Sequence, residues 1–176
     1  MAAFTLGVVL YLVVMATEFL RWTFRRLDPN EIDPPAWIAA GAMAITVLAG
    51  SNLLIASPKA HSLARLVQFL DGFVILAWAT ATFWLPLLVA LGAWRHIIRR
   101  VPLRYDPAFW AIVFPIGMYG AATFRMLDAI QLGQLGWLPQ ATLVAALVTW
   151  TSTFGGLLHH IAHSWRDWGS RRDRPN

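Results

Sequence analysis

Five long apolar stretches alternate with short polar ones along the chain, and each is about as long as a bilayer core demands. They cover roughly residues 4–20, 35–56, 71–94, 107–127 and 139–161. This pattern predicts an all-α membrane protein of about five transmembrane helices. A transmembrane unit over residues 1–165 would then be followed by a basic tail, 166–176. The tail holds Arg166, Arg171, Arg172 and Arg174 and is expected to be disordered.

Two of the stretches differ in kind from the others. The fourth opens at Asp106-Pro107, where Asp caps free N–H groups and Pro tolerates the first helical position. It runs for 18 residues, Pro107 to Phe124, without a charge. Pro115 interrupts it, removing a backbone hydrogen bond, and Gly117, Gly120, Ala121 and Ala122 follow. Such residues let another helix or a pathway come close. A bulky Phe114 at the break gives the look of a pore helix; a kinked packing helix is the plainer reading. The second stretch opens at Asp33-Pro34-Pro35 and is again rich in small residues, with Gly41, Ala42, Ala44, Gly50 and Ser51 beside the polar Thr46 and Asn52. The third opens near Asp71, a candidate N-cap, and contains Pro86.

Composition agrees with the pattern. Of 176 residues, 58% are hydrophobic and 13% charged, and mean hydropathy is +0.56, values of a polytopic membrane protein. With no cysteine, disulfides, iron–sulfur clusters and thiolate metal sites are excluded. The net charge of +5 resides in short loops, which favours membrane topology over nucleic-acid binding. The start, Met1-Ala2-Ala3-Phe4, lacks the basic region of a cleavable signal peptide.

Charge also orients the chain. The segments after spans one and three, with the tail, hold eleven basic residues, against Lys59, Arg65 and Arg125 elsewhere. By the positive-inside rule the C-terminus is cytoplasmic and the N-terminus outside, in a multi-pass protein of the inner membrane. Trp22, Trp37, Trp94, Trp110 and Trp165 all fall at the predicted cytoplasmic ends, as an aromatic belt should.

Spans two and four echo each other: Asp33-Pro34-Pro35-Ala36-Trp37 against Asp106-Pro107-Ala108-Phe109, each after a basic loop. Helices of two kinds therefore alternate, one set lining an axis and the other outside it.

Three segments carry a resemblance: PPAWIAAGAMAITVLAG (34–50), WRHIIRRVPLRYDP (94–107) and FWAIVFPIGMYGAATFR (109–125). The sequence resembles the tellurite-resistance/dicarboxylate transporter family, which includes the plant slow anion channels. The resemblance implies a ten-helix ring of hairpins, with odd-numbered helices around a pore and even-numbered ones outside, assembled as trimers. The five spans here look like helices six to ten, the C-terminal half, so spans two and four would be inner helices. The family's gating phenylalanine precedes a proline and matches Phe114-Pro115. The sequence departs at Met43, where many relatives are expected to carry a kinking proline, and it lacks counterparts of helices one to five. An internal start, a split gene and a truncation all fit that match.

The resemblance implies transport of a small anion through half of a pore, with chloride, nitrate, sulfite, tellurite and C4-dicarboxylates all open. Phe114 and Pro115 form the candidate gate; Gly41, Thr46, Gly50, Gly117, Ala121 and Thr123 are candidate pore-lining residues. Expected partners are the bilayer, the anion, and further copies of the chain or a missing N-terminal half. Arg125 would draw anions to the outer mouth, or simply snorkel. Glu18 is expected to pair with Arg21. A second reading starts from His96, His159, His160 and His163 near the cytoplasmic ends, with His159 and His163 four apart. Two imidazoles on neighbouring helices would suit a di-histidine haem or redox protein. A non-conducting accessory protein is a third. No catalytic pairing or phosphate-binding glycine loop is present, so neither an enzyme nor a bound cofactor or metal is expected.

Overall fold

A computed structural model describes residues 2–24, 34–59 and 65–172, and all of its regular structure is helical. Asp33, the expected cap of the second span, lies outside the described residues, as do Arg25, Arg26 and His61. The long helices are α1 (Ala2–Phe24), α2 (Ile38–Ala56), α3 (Val67–Ala93), α4 (Trp110–Ile130) and α5 (Trp137–Arg172). Each of these segments is long and apolar enough to cross a membrane.

Proline sets two of the starts. Pro34–Trp37 and Pro107–Phe109 are short 3₁₀ turns that lead straight into α2 and α4. At the second, Asp106 is extended and its carboxylate accepts from Ala108 N–H at 2.7 Å, the expected cap. The third helix starts earlier than Asp71: Leu70 N–H already reaches Leu66 C=O at 2.8 Å. Leu70 is fully buried, so core packing winds this first turn in and Asp71 becomes an interior helical residue. Pro86 is carried inside α3 without ending it. Past Ala93 the helix widens into a π turn, Trp94–Ile98, closed by Arg99 N–H on Trp94 C=O at 3.0 Å. At the other end of the chain, α5 does not stop near residue 161 but runs on through Arg172.

The packing is strongly unequal. α2 is the hub, lying mainly against α3 and α4, while α5 lies on α4. The core is built from Met43, Ala44 and Val47 of α2, Leu70, Val74 and Ala77 of α3, and Tyr119, Ala122 and Met126 of α4. α1 buries no residue and touches α2 only lightly. It is held at its rim by a Trp84 indole N–H donating to Tyr11 hydroxyl at 3.1 Å and by a T-shaped Trp22–Trp84 pair at 5.7 Å. Glu18 and Arg21 pair at 3.7 Å, as their spacing predicts. Between α1 and α2 lies a cavity of about 650 Å³ lined by Tyr11, Met15, Glu18, Trp22, Ala39 and Trp84.

Candidate functional site

The two small-residue helices meet at one tight crossing. A methyl group placed on Gly41 would stand 3.1 Å from Pro115 Cγ and 3.5 Å from Phe114 Cδ1. Glycine at this position therefore lets the Phe114-Pro115 step lie directly on α2. Pro115 is fully buried in that contact. Phe114 lies at the edge of the same contact, its ring against Gly41 on one side and 53% exposed overall.

The helical period then sorts α4 into two sides. Its covered side carries Pro115, Tyr119, Ala122, Thr123 and Met126. Its open side carries Phe114, Gly117, Ala121, Phe124 and Asp128, all exposed at alternating steps of three and four. On α2 the open positions are Ile38, Ile45 and Asn52, seven apart. The two helices meet beside these stripes at Gly41 under Phe114 and at Asn52 under Arg125, while Ile38 and Ile45 also border the cavities on the α1 side.

The face changes character along its length. At the end marked by Pro34 and Asp106 the short 3₁₀ turns that lead into the two helices lie close together, with Pro34, Trp37, Phe109 and Ile112 around one small pocket. Its middle is apolar, with the rings of Phe114 and Phe124 on either side of Gly117 and Ala121. At the far end Arg125 joins the helices: its Nε donates to Asn52 Oδ1 at 3.0 Å, and its other arm pairs with Asp128 at 3.3 Å. A path along this face would therefore pass an apolar stretch around Phe114 and end at the ion-paired Arg125 and Asp128.

The candidate pore-lining residues separate by position. Gly117 and Ala121 lie on the open face with Phe114. Gly41 is buried under Phe114 at the crossing, where its role is to permit close approach. Thr46 faces the α1 side, lining a groove with Phe4 and Tyr11, and its hydroxyl donates to Ala42 C=O at 3.1 Å. Gly50 and Thr123 point the other way. A Cβ at Gly50 would meet Val74 of α3 at 2.5 Å. Thr123 is fully buried and accepts from the Trp78 indole N–H at 3.0 Å. Both belong to the seam with α3 and not to the open face. Small size and hydroxyl chemistry suit an interhelical seam as well as a pathway, and only the angle around the helix tells them apart.

Ile38, Ile45 and Phe124 were not legible as site residues from composition, though the seven-residue spacing of Ile38, Ile45 and Asn52 contained the signal. His159 and His163 stand side by side on one helix with ring centroids 6.4 Å apart, and His160 packs on Tyr105 at 5.6 Å. A haem between two imidazoles needs them on facing helices, which these are not. Among the described residues there is no cluster of three or more metal-ligating side chains.

A family model described as voltage-dependent anion channel matches residues 1–158. The chain belongs to the voltage-dependent anion channel family. That places it among membrane proteins of anion transport and not in a family of enzymes. An uncharacterized membrane protein of Mycobacterium tuberculosis is 38% identical over 155 residues, 87% of this chain and 77% of that protein. An uncharacterized transporter of Methanocaldococcus jannaschii is 27% identical over 143 residues, which cover 75% of this chain but 39% of that transporter. No solved structure matches the chain. The tellurite-resistance/dicarboxylate resemblance read from the sequence agrees with membership of this family, and the all-α, five-span architecture agrees with the helices.

Proposed function

We propose that this member of the voltage-dependent anion channel family supplies half of a pore for small anions, with the open α2–α4 face as its wall. Phe114 is the constriction and Pro115 its anchor. The observation that carries this reading is the split at residues 114 and 115: the proline is sealed into the α2 contact while the preceding ring stands exposed on a face of small residues. A ring so placed excludes water and ions by a hydrophobic barrier. Two helices cannot enclose an aqueous path, so the face requires companion helices, from other copies of the chain or from a separate half. The match to well under half of the Methanocaldococcus jannaschii transporter is in keeping with this. In our reading the end that carries Asp106 faces the cytoplasm of an inner-membrane protein and the end that carries Arg125 faces outward.

The test is Phe114→Ala, read as anion flux in membrane vesicles from cells making the chain, alongside its abundance. A gate predicts more flux at normal abundance. A packing role predicts less protein in the membrane and no gain in flux. Unchanged or reduced flux at normal abundance removes Phe114 from the gate.

A further inference from the structure

The π turn that ends α3 and the loop behind it combine exposed aliphatic side chains with the exposed Arg99, Arg100 and Arg104. Along α3, Phe69, Leu76, Phe83 and Ala90 are exposed at seven-residue steps, a stripe turned to the hydrocarbon. Ile97 and Ile98 carry exposed apolar surface past the end of the helix, at 74% and 67% exposure. The chain then reverses sharply. Arg100 takes a left-handed conformation with φ 54°, Val101 N–H returns to Arg95 C=O at 3.2 Å, and His96 Nδ1 lies 3.0 Å from Val101 C=O. This turn holds Arg99 and Arg100 at the exit of the membrane span, and Leu103, 73% exposed, precedes Arg104.

The three guanidinium groups have no carboxylate partner among the described residues. Arg99 lies over the Trp94 ring at 4.9 Å, a contact that orients the group. Asp106, the nearest acid in sequence, is already engaged as the cap on Ala108. A merely solvated basic loop would not need three large aliphatic side chains held out beside its charges. Cations next to exposed hydrocarbon at a membrane exit match a lipid, which presents a phosphate directly above acyl chains.

We propose that Ile97–Arg104 binds an anionic phospholipid in the leaflet this loop meets. Its headgroup phosphate lies on Arg99, Arg100 and Arg104, and its acyl chains lie against Ile97, Ile98 and Leu103. The site is independent of the α2–α4 face.

The experiment uses the full chain, taken from bilayers of equal phosphatidylglycerol and phosphatidylcholine into native mass spectrometry. Phosphatidylglycerol is expected to be retained in preference, and each Arg→Gln change at 99, 100 or 104 should lower its retention by about fivefold. Because loss of loop charge can disturb insertion, Ile97→Ser with Leu103→Ser provides a variant of unchanged charge, expected to lose lipid while keeping the fold. In the wild-type chain, a photoreactive phosphatidylglycerol should label the peptide containing Leu103. Equal retention of the two lipids, labelling confined to other segments, or full displacement of the lipid by inorganic phosphate would each overturn the assignment.

Discussion

α1 and α2 are equally apolar and live in different surroundings. Their membrane windows have mean hydropathy 2.0 and 1.9, yet 6% of the first is buried within the protein and 44% of the second. Side-chain size separates them. α1 presents Leu6, Val9, Leu10, Leu12, Val13 and Val14, all more than half exposed. α2 presents Ala39, Ala40, Gly41, Ala44, Gly50 and Ser51, all buried. In lipid there is no hydrophobic force to drive one apolar helix onto another, because the tails are as apolar as leucine. What remains is close contact, and small side chains permit it. Hydropathy therefore tells which segments cross the membrane, and size tells which of them sit at the centre.

The comparison is broken most forcefully by putting the same large residue into each helix. Gly50 and Gly7 are both helical glycines in membrane spans. A Cβ on Gly50 would stand 2.5 Å from Val74 Cγ2, and Val74 is itself fully buried and β-branched, with little room to turn. A Cβ on Gly7 meets nothing within 4 Å. Gly50→Leu should cost about 3 kcal/mol or more and sharply lower the yield of folded protein. Gly7→Leu should stay within about 0.5 kcal/mol. Thermal unfolding of both variants in the same detergent decides. Similar losses would mean that α1 is as closely packed as α2 in the assembled protein, and that its lipid-like exposure belongs to the isolated chain.

A smaller effect sharpens the same contrast through hydrogen bonds. Thr123 Oγ1 accepts the Trp78 indole N–H across the α3–α4 seam at 3.0 Å, and its loss removes this direct tie between the two helices. Thr17 on α1 is exposed and donates only to Val14 C=O of its own helix at 2.7 Å. Thr123→Val, nearly isosteric, should lower stability by about 1 kcal/mol, within the range of interhelical hydrogen bonds in membranes. Thr17→Val should be silent to within about 0.5 kcal/mol. Equal shifts in a denaturation series would show that the buried seam gains nothing from its polar tie.

Much of the fold was legible because the membrane makes length and apolarity decisive. The Asp-Pro starts of spans two and four marked the helices that meet at Gly41 and Pro115, and the small residues behind those starts marked them as central. Boundaries were less legible. Asp71 looked like a cap, but burial of Leu70 winds the helix a turn earlier, and tertiary packing is invisible to a local signal. The same limit divides the candidate lining residues. Phe114, Gly117 and Ala121 share the open face, whereas Gly50 and Thr123 answer to Val74 and Trp78 on α3. Chemistry alone placed all of these residues in one class. Their angles around the helices, relative to partners distant in sequence, separate them.

The smallest expected effect is at the Arg125 end, where α2 and α4 meet through charge instead of size. Arg125 Nε donates to Asn52 Oδ1 at 3.0 Å, while its NH1 pairs with Asp128 one turn along α4 at 3.3 Å. The Arg125 side chain is 41% exposed, so water competes for each of its donors. Asn52→Ala removes one acceptor, and Arg125 keeps Asp128 and solvent. The change should therefore cost no more than about 0.5 kcal/mol. Paired with Arg125→Ala in a double-mutant cycle, the coupling should be of the same size. It should also shrink as salt rises, since an exposed charge is screened. A coupling above about 1.5 kcal/mol that salt does not change would place this contact in the same class as the buried seam. Polar ties would then hold the α2–α4 pair together as firmly as glycine and alanine do, and residue size would no longer separate α2 from α1.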